Sequence, residues 1–351
     1  MAPIERLRLA VALPHLGVYG GVRRFLELGR IWAERGHYVT LAIPAAVHGS
    51  EDRSAEIRVA TARLPLPGRV GTIEEIERES WDALLTPDPN LFQRVRPRGT
   101  LRVFYAVLEK AAGAGAAWRS ADLVLANSTG MANHLKRRGV RVVPAVGGVD
   151  TTVFHAPAPD LRPGRAREGK PVRALIYGRL SRKRKGTLAA ARAVEAAAKR
   201  AGLRVELTLF DAPPRGAARP PEPLPISIPH QWVLDPTRKE LVGLYGDADI
   251  FVSAERRAGW CNTAAEAMAC GAAVVCTRSG TQDFARHRDT ALVSRYPWAW
   301  TLSRHVESLL RDTALRTAIA ARGQERIQRF PWERTADVIE GAIRDRLRRR
   351  A

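Results

Sequence analysis

A dense cluster of basic side chains follows a short apolar run near the middle of the chain. In ALIYGRLSRKRKG (174–186) the basic residues are Arg179, Arg182, Lys183, Arg184 and Lys185. Arginine offers a planar fork of donors and lysine a compact positive charge, and both suit the oxygens of a diphosphate. The segment lacks the G-x-x-x-x-G-K-S/T spacing of a Walker loop. We therefore predict an anion-binding loop, with a solvated basic loop as the alternative.

A second candidate is the glycine pair near the N-terminus, where VALPHLGVYGGVRRF (11–25) changes from a strand-like to a helix-like pattern. Gly20 and Gly21 would let the backbone approach a ligand closely, and the free N–H groups of a helix start favour an anion. Their spacing is not that of the dinucleotide fingerprint G-x-G-x-x-G. A tight turn that requires glycine explains the pair equally well.

The third candidate is the polar loop and helix within FVSAERRAGWCNTAAEAMACGAAVVCTRSGTQDF (251–284). The N–H groups near Asn262 and Thr263, at the predicted helix start, could meet an anion. Glu266 lies among alanine, methionine and cysteine, where an unpartnered carboxylate is costly to bury. It is either a ligand-binding group or a helix-stabilising residue at the solvent edge.

These candidates follow predicted strands in a chain that alternates strand and helix. The strand-like runs are LRLAVAL, YVTLAIP, WDALLT, LRVFYAV, ADLVLANS and VRVVPAV in the first half, and VRALIYGRL, VELTLFD, IFVSA and AAVVCTRS in the second. Helix-like segments separate several of them, which predicts parallel sheets covered on both faces. We therefore predict an α/β fold of two tandem Rossmann-like, doubly wound domains, with ligands at the carboxyl ends of the strands.

The segment HAPAPDLRPGRAREGKP (155–171) interrupts this alternation and is rich in proline, arginine and glycine. We predict a first domain over 1–154, a linker over 155–171 and a second domain over 172–329. A C-terminal helix is expected over 330–351, because residues 302–350 have a helical pattern with a break at Phe330-Pro331.

The composition predicts a soluble, cytoplasmic protein. No apolar run approaches the roughly 20 residues of a membrane helix, and the N-terminus lacks the apolar core of a signal peptide. The 3 cysteines lack the paired spacing of a metal site. The net charge is +21, and residues 151–200 alone hold 13 basic and 3 acidic side chains. Such a local excess favours a phosphate-bearing ligand or an anionic surface over nucleic acid.

Together these motifs resemble the retaining nucleotide-sugar glycosyltransferases of family 4, which have the glycosyltransferase-B fold. AEAMACGAAVV (265–275) is the most specific similarity. The other similar segments are GGVRRFLELGRIWAERGHYVTLAIP (20–44), ADLVLANSTGMANHL (121–135), VVPAVGGVDTTVF (142–154), YGRLSRKRKG (177–186), ELVGLYGDADIFVSA (240–254) and FPWERTADVIEGAIRDRL (330–347).

The resemblance implies an enzyme that transfers a hexosyl or deoxyhexosyl group from a nucleotide sugar to an acceptor such as a glycan, lipid or small molecule, without a metal or cofactor. The first domain would face the second across a cleft and hold the acceptor, while the second would hold the donor. The helix over 330–351 would cross back to the first domain. Arg179 and Lys185 would be catalytic, by stabilising the charge on the departing diphosphate.

The resemblance also implies the donor contacts. Arg179 and Lys185 would bind the diphosphate, and Glu266 would accept hydrogen bonds from the ribose hydroxyls. The backbone near Asn262 and Thr263 would meet a phosphate, and Gly20 and Gly21 would lie against it from the first domain.

The sequence departs from the family pattern at several places, and two of them concern the candidate donor site. Ala258 stands eight positions before Glu266, where the family's E-x7-E motif has its first glutamate, and Glu255 lies nearby. An alanine there would tolerate deoxy sugars. One extra residue precedes Lys185, so Lys183 or Arg184 could take the lysine's role.

Two alternatives follow for function. A non-catalytic nucleotide-sugar-binding protein is suggested by the missing glutamate. A basic protein that binds an anionic membrane or nucleic acid is suggested by the net charge, and peripheral contact with an anionic membrane is also compatible with the enzyme.

Overall fold

The computed structural model describes residues 6–16, 21–45, 68–107, 114–156, 170–212 and 224–350. The chain divides into two compact units: unit 1 comprises Met1–Gly148 and Trp332–Ala351, and unit 2 comprises Val149–Pro331. Most of the predicted linker, residues 157–169, lies outside the described residues, as does Gly20. Among the described helices, none is long and apolar enough to cross a bilayer.

The described part of unit 1 is built on a parallel sheet. Its strands are β1 (Arg8–Ala12), β2 (Tyr38–Ile43), β3 (Arg69–Thr72), β4 (Ala83–Thr86), β5 (Leu101–Ala106), β6 (Leu123–Ala126) and β7 (Val143–Pro144). Their order is β3-β2-β1-β4-β5-β6-β7, with parallel pairing between all neighbours. Most of these side chains are buried, because helices cover both faces of a parallel sheet.

Helices are numbered along the chain, and those of unit 1 are α1 (Gly21–Glu34), α2 (Ile73–Arg78), α3 (Pro89–Arg94), α4 (Ala114–Ser120), α5 (Thr129–Lys136) and α11 (Trp332–Arg348). Polar residues cap several of them: the Thr72 hydroxyl accepts a hydrogen bond from the Glu75 N–H at 3.1 Å. The last helix belongs to the first core, since Trp332, Ile339 and Ile343 are buried in the same cluster as residues of β1 and α1.

Unit 2 is a second parallel α/β unit. Its strands are β8 (Val172–Tyr177), β9 (Val205–Asp211), β10 (His230–Leu234), β11 (Ile250–Ser253), β12 (Ala273–Thr277) and β13 (Leu292–Ser294), in the order β10-β9-β8-β11-β12-β13. Its helices are α6 (Thr187–Ala201), α7 (Arg238–Asp247), α8 (Asn262–Ala269), α9 (Ala299–Arg311) and α10 (Thr313–Ile327). The strand order reverses between β8 and β11, so the carboxyl ends of these two strands form the expected ligand edge.

The C-terminal helical stretch has one more break than the sequence suggested. It begins at Ala299, and α9 ends before Asp312. The Asp312 carboxylate accepts a hydrogen bond from the Leu315 N–H at 2.8 Å, which caps α10. The break at Phe330-Pro331 is present as well, because α11 starts at Trp332.

Candidate functional site

The candidate site lies at the carboxyl ends of β8 and β11, which pair in parallel with Ile176 opposite Val252. Immediately after β8 comes Gly178, where a Cβ atom would lie 2.3 Å from the Trp232 ring. Only glycine therefore lets the chain pass this indole and turn into the basic segment.

The basic segment forms a short 3₁₀ turn over Lys183–Lys185, which ends at Gly186. Gly186 has a φ of +67°, and a Cβ there would lie 2.3 Å from the Ala254 carbonyl oxygen. The Arg256 N–H donates to the Arg184 carbonyl at 2.8 Å. These contacts hold the turn against the end of β11, so its position is set by backbone packing.

Lys185 forms an ion pair with Glu255 at this edge, with 2.5 Å between Nζ and Oε2. Glu255 is only 3% exposed, whereas the Lys185 side chain is 22% exposed. Its ammonium also lies 5.6 Å from the Tyr177 ring centroid. An ammonium has three N–H donors, so the pair with Glu255 leaves donors for a ligand.

Arg179 is buried at the same edge, with 4% exposure. Its Nε donates to Asp211 Oδ1 at 2.6 Å, and the guanidinium also donates to the Ala212 carbonyl. Its Cζ lies 5.7 Å from the Tyr177 ring centroid, so both predicted cations lie near the same tyrosine ring. Burial raises the pKa of Tyr177, which stays a neutral phenol.

Glu266 is buried on α8 rather than placed at the solvent edge. The Tyr245 hydroxyl donates to Glu266 Oε2 at 3.1 Å. Tyr245 packs edge to face with three rings, those of Phe154, Phe210 and Phe251. This carboxylate therefore lies beside an apolar, aromatic part of unit 2, as its sequence neighbours suggested.

The start of α8 presents backbone donors. Cys261 precedes the helix without a side-chain cap, and its N–H donates to the Gly280 carbonyl at 2.8 Å. Asn262 and Thr263 are the first two helical residues, whose N–H groups have no partner within a helix. The buried Asn262 Oδ1 also has no hydrogen-bond partner in the described part of the chain.

The structure thus places the candidate residues as follows. Arg179 and Lys185 share Tyr177 as a neighbour, while Asn262, Thr263 and Glu266 share helix α8. Gly21 is the first residue of α1 in unit 1. Lys183 is exposed, and Arg184 donates to the Arg257 carbonyl at 3.0 Å.

The carboxylates that pair with the two cations were not predicted from the sequence. Asp211 is the last residue of the predicted strand VELTLFD, and a polar residue at the end of an apolar strand was the available signal. Glu255 was noted only as a neighbour of Ala258. The structure makes it the partner of Lys185, and it leaves Glu255 Oε1 without a hydrogen-bond partner among the described residues.

The three cysteines are buried and do not form disulfides. Cys261, Cys270 and Cys276 are buried as free thiols, and burial raises the pKa of Cys276 to about 12. Within the described ranges, no group of three or more His, Cys, Asp or Glu residues could hold a metal ion.

Comparison with known proteins identifies the type of domain in unit 2. Residues 171–312 match the family model described as glycosyl transferases group 1. No curated protein sequence matches the chain.

Solved structures similar to the chain include three proteins. Sucrose-phosphate synthase from Thermosynechococcus elongatus has 16% sequence identity and a TM-score of 0.71, with 97% of this chain and 99% of that chain covered. HepE from Anabaena, in complex with UDP and glucose, has 16% identity and a TM-score of 0.73, with 97% and 100% covered. A glycosyltransferase from Rickettsia africae has 16% identity and a TM-score of 0.73, with 98% and 99% covered.

These matches confirm the predicted glycosyltransferase-B type of fold, an α/β chain with two Rossmann-like domains. The group 1 match confirms the prediction of a glycosyltransferase at the level of the domain over 171–312. Membership of family 4, the domain boundaries and the roles of the site residues stay predictions.

Proposed function

We propose that the chain is a retaining, metal-independent glycosyltransferase of family 4 that transfers a sugar from a nucleotide diphosphate donor. One observation supports this proposal above the others. Two cations, Arg179 and Lys185, lie beside the Tyr177 ring at the strand ends of a group 1 domain. One similar structure is of HepE with UDP-glucose, which supports a nucleotide sugar as the donor. The acceptor is a glycan, lipid or small molecule, and the proposed location is the cytoplasm.

The proposed reaction breaks the bond between the anomeric carbon and a phosphate oxygen. Negative charge develops on that oxygen, and the Lys185 ammonium together with the N–H groups of Asn262 and Thr263 would stabilise it. The acceptor oxygen then bonds to the anomeric carbon on the face that the phosphate leaves, and its proton passes to the phosphate. Attack on that face retains the anomeric configuration.

The two cations have different parts in this proposal. Lys185 keeps unused donors and partial exposure, so it is the group that contacts the diphosphate. Arg179 is buried and paired with Asp211, so it fixes the ends of β8 and β9, and its charge acts on the edge together with that of the carboxylate. In this proposal Gly20 and Gly21 also approach the donor.

Glu255 bears on the choice of sugar. Its Oε1 is buried and has no hydrogen-bond partner in the described part of unit 2, so it could accept a hydrogen bond from a hydroxyl of the transferred sugar. Ala258 alone would favour a deoxy sugar, whereas an available carboxylate would favour a fully hydroxylated one.

A panel of nucleotide sugars tests the proposed function directly. The panel should contain matched hexosyl and deoxyhexosyl donors, and the measurement is release of nucleoside diphosphate with candidate acceptors. Turnover of at least one donor supports the enzyme. Binding of donors without turnover across acceptors of all three classes would instead support a nucleotide-sugar-binding protein.

Replacement of Glu266 by glutamine should weaken binding of the free nucleoside diphosphate as well as the donor, because both contain the ribose. A charge-assisted acceptor becomes a neutral amide, so the expected loss is about 1–2 kcal/mol. Calorimetry of nucleotide binding measures it. Tyr245→Phe is the control, since it removes the hydrogen bond to Glu266 but keeps the carboxylate. Unchanged nucleotide binding in a folded Glu266→Gln variant would refute the ribose assignment.

Activity should persist in excess EDTA, because Lys185, Arg179 and the α8 N–H groups supply the positive potential that a divalent ion would provide. The measurement is the initial rate before and after chelation, followed by addition of Mg²⁺ or Mn²⁺. Loss of activity with EDTA and its recovery with either ion would contradict the proposed mechanism.

A further inference from the structure

Unit 2 exposes three aromatic side chains in the segment RYPWAW (295–300), at the start of α9. Tyr296, Trp298 and Trp300 are 38%, 45% and 61% exposed. We call these three rings the aromatic ladder. Exposed tryptophans that lie together on a protein surface usually mark an interaction site.

The rings of the aromatic ladder stack on one another. The Tyr296 and Trp298 centroids are 4.5 Å apart with an interplanar angle of 10°, and those of Trp298 and Trp300 are 5.8 Å apart at 28°. The Arg295 guanidinium lies over the Tyr296 ring, 5.4 Å from its centroid. The stacking therefore leaves the ring edges and one face of Trp300 for contact.

This geometry discriminates between two kinds of partner. A sugar stacks flat on an open aromatic face, and the stack leaves mainly the outer face of Trp300 for that, because Trp298 stacks with both neighbouring rings and Tyr296 with Trp298 and Arg295. The headgroup region of a bilayer instead accepts amphipathic rings inserted among the lipids, where the ring body is apolar and the N–H or O–H contacts polar groups. The stacked edges fit the second environment.

The ladder sits on a fixed support. The Thr301 hydroxyl lies within hydrogen-bond distance of the carbonyls of Tyr296 and Trp298, at 3.0 and 2.9 Å, and donates its one proton between them. The next residue of α9, Leu302, is fully buried in the core of unit 2. The rings are thus presented by a packed helix start, which reduces the conformational entropy lost on docking.

The exposed charged residues next to the ladder in the sequence are positive. Arg295 precedes it, and Arg304 lies four residues after Trp300, on the same face of α9. No aspartate or glutamate occurs between Asp289 and Glu307, and those two residues form ion pairs with other arginines. Lipid phosphates would complement this charge, and each arginine near an anionic surface adds attraction.

From the ladder and its flanking arginines we infer that this face of unit 2 docks on the surface of an anionic lipid bilayer, with the ring edges among the headgroups and Arg295 and Arg304 on lipid phosphates. The inference does not depend on the proposed sugar transfer. It assigns the surface that makes contact, which the net charge alone could not do.

The test is flotation of the full chain with vesicles of phosphatidylcholine, with and without phosphatidylglycerol. The double variant Trp298→Ala/Trp300→Ala should lose about tenfold or more in affinity for the anionic vesicles, because two partly exposed aromatic side chains leave the interface. Leu203→Ala is the matched control, an exposed apolar side chain of unit 2 outside the ladder. Thermal melting checks that each variant is folded.

The arginines are tested in the same assay. Arg295→Gln and Arg304→Gln should each lower affinity for anionic vesicles about fivefold, whereas Arg192→Gln, at an exposed position on α6, should have little effect. Quenching of tryptophan fluorescence by brominated lipids should occur in the wild type and be reduced in the double variant.

Three results would overturn the inference. One is equal vesicle binding by the wild type and the double variant. Another is binding of soluble oligosaccharides that depends on the ladder while vesicle binding does not. The last is a change in oligomeric state, by sedimentation, that accounts for the effect of the double variant. Donor turnover, measured without vesicles, is a separate readout and reports on the proposed function alone.

Discussion

Replacement of Lys185 by glutamine should lower turnover about a hundredfold in a variant that still folds but is less stable, because the buried Glu255 carboxylate loses its cation. The side chain would keep a neutral donor for Glu255 but would lose the positive charge that stabilises the departing diphosphate. Loss of one preorganised donor to a developing oxyanion costs about 3 kcal/mol in activation free energy. Steady-state kinetics with the preferred donor measures the effect, and it should appear mainly in kcat.

Lys183 provides the matched control, because it belongs to the same 3₁₀ turn but is exposed. Lys183→Gln changes the net charge by the same amount and should retain near wild-type turnover. Lys185→Arg, which keeps the charge, should retain more activity than Lys185→Gln. If instead the Lys183 variant is the inactive one, the catalytic lysine has been misassigned.

The second large effect concerns stability. Arg179→Met should lower the free energy of unfolding by about 3 kcal/mol, because it leaves the Asp211 carboxylate buried without its cation. Asp211→Asn combined with Arg179→Met removes both charges and should recover much of that loss. Chemical denaturation of the two variants and the wild type measures the difference.

Turnover of the same variants distinguishes the structural role of Arg179 from its electrostatic role in catalysis. If its charge contributes to catalysis, the double variant should be nearly as stable as the wild type yet still slow. A double variant with wild-type turnover would show that Arg179 only holds the strand ends together, and Lys185 would then be the sole catalytic cation.

Much of the fold could be predicted because buried parallel strands are short apolar runs. The runs LRLAVAL, VELTLFD and IFVSA each became a strand within one or two residues of the expected limits. Strand β10 was not predicted, since HQWVL is only partly buried and its pattern is mixed. The short strands β3 and β13 also carried too few residues to show a pattern.

The candidate site was less predictable because its contacts join distant parts of the sequence. Arg179 and Asp211 are 32 positions apart, and they meet because Tyr177 of β8 lies opposite Phe210 of β9. Lys185 and Glu255 are 70 positions apart and meet at the edge formed by β8 and β11. A sequence pattern shows that polar residues end these strands, but strand order decides which of them become partners.

The last helix of the chain completes the core of the unit that is made first. Trp332, Ile339 and Ile343 pack with residues of β1 and α1, while all of unit 2 lies between them in the sequence. During synthesis, therefore, unit 2 has its whole sequence before unit 1 does. Until α11 has been synthesised, unit 1 lacks part of its core, and we expect its nascent form to expose apolar surface that chaperones bind. A premature stop codon that removes α11 alone would thus harm the N-terminal unit and leave the sequence of unit 2 intact.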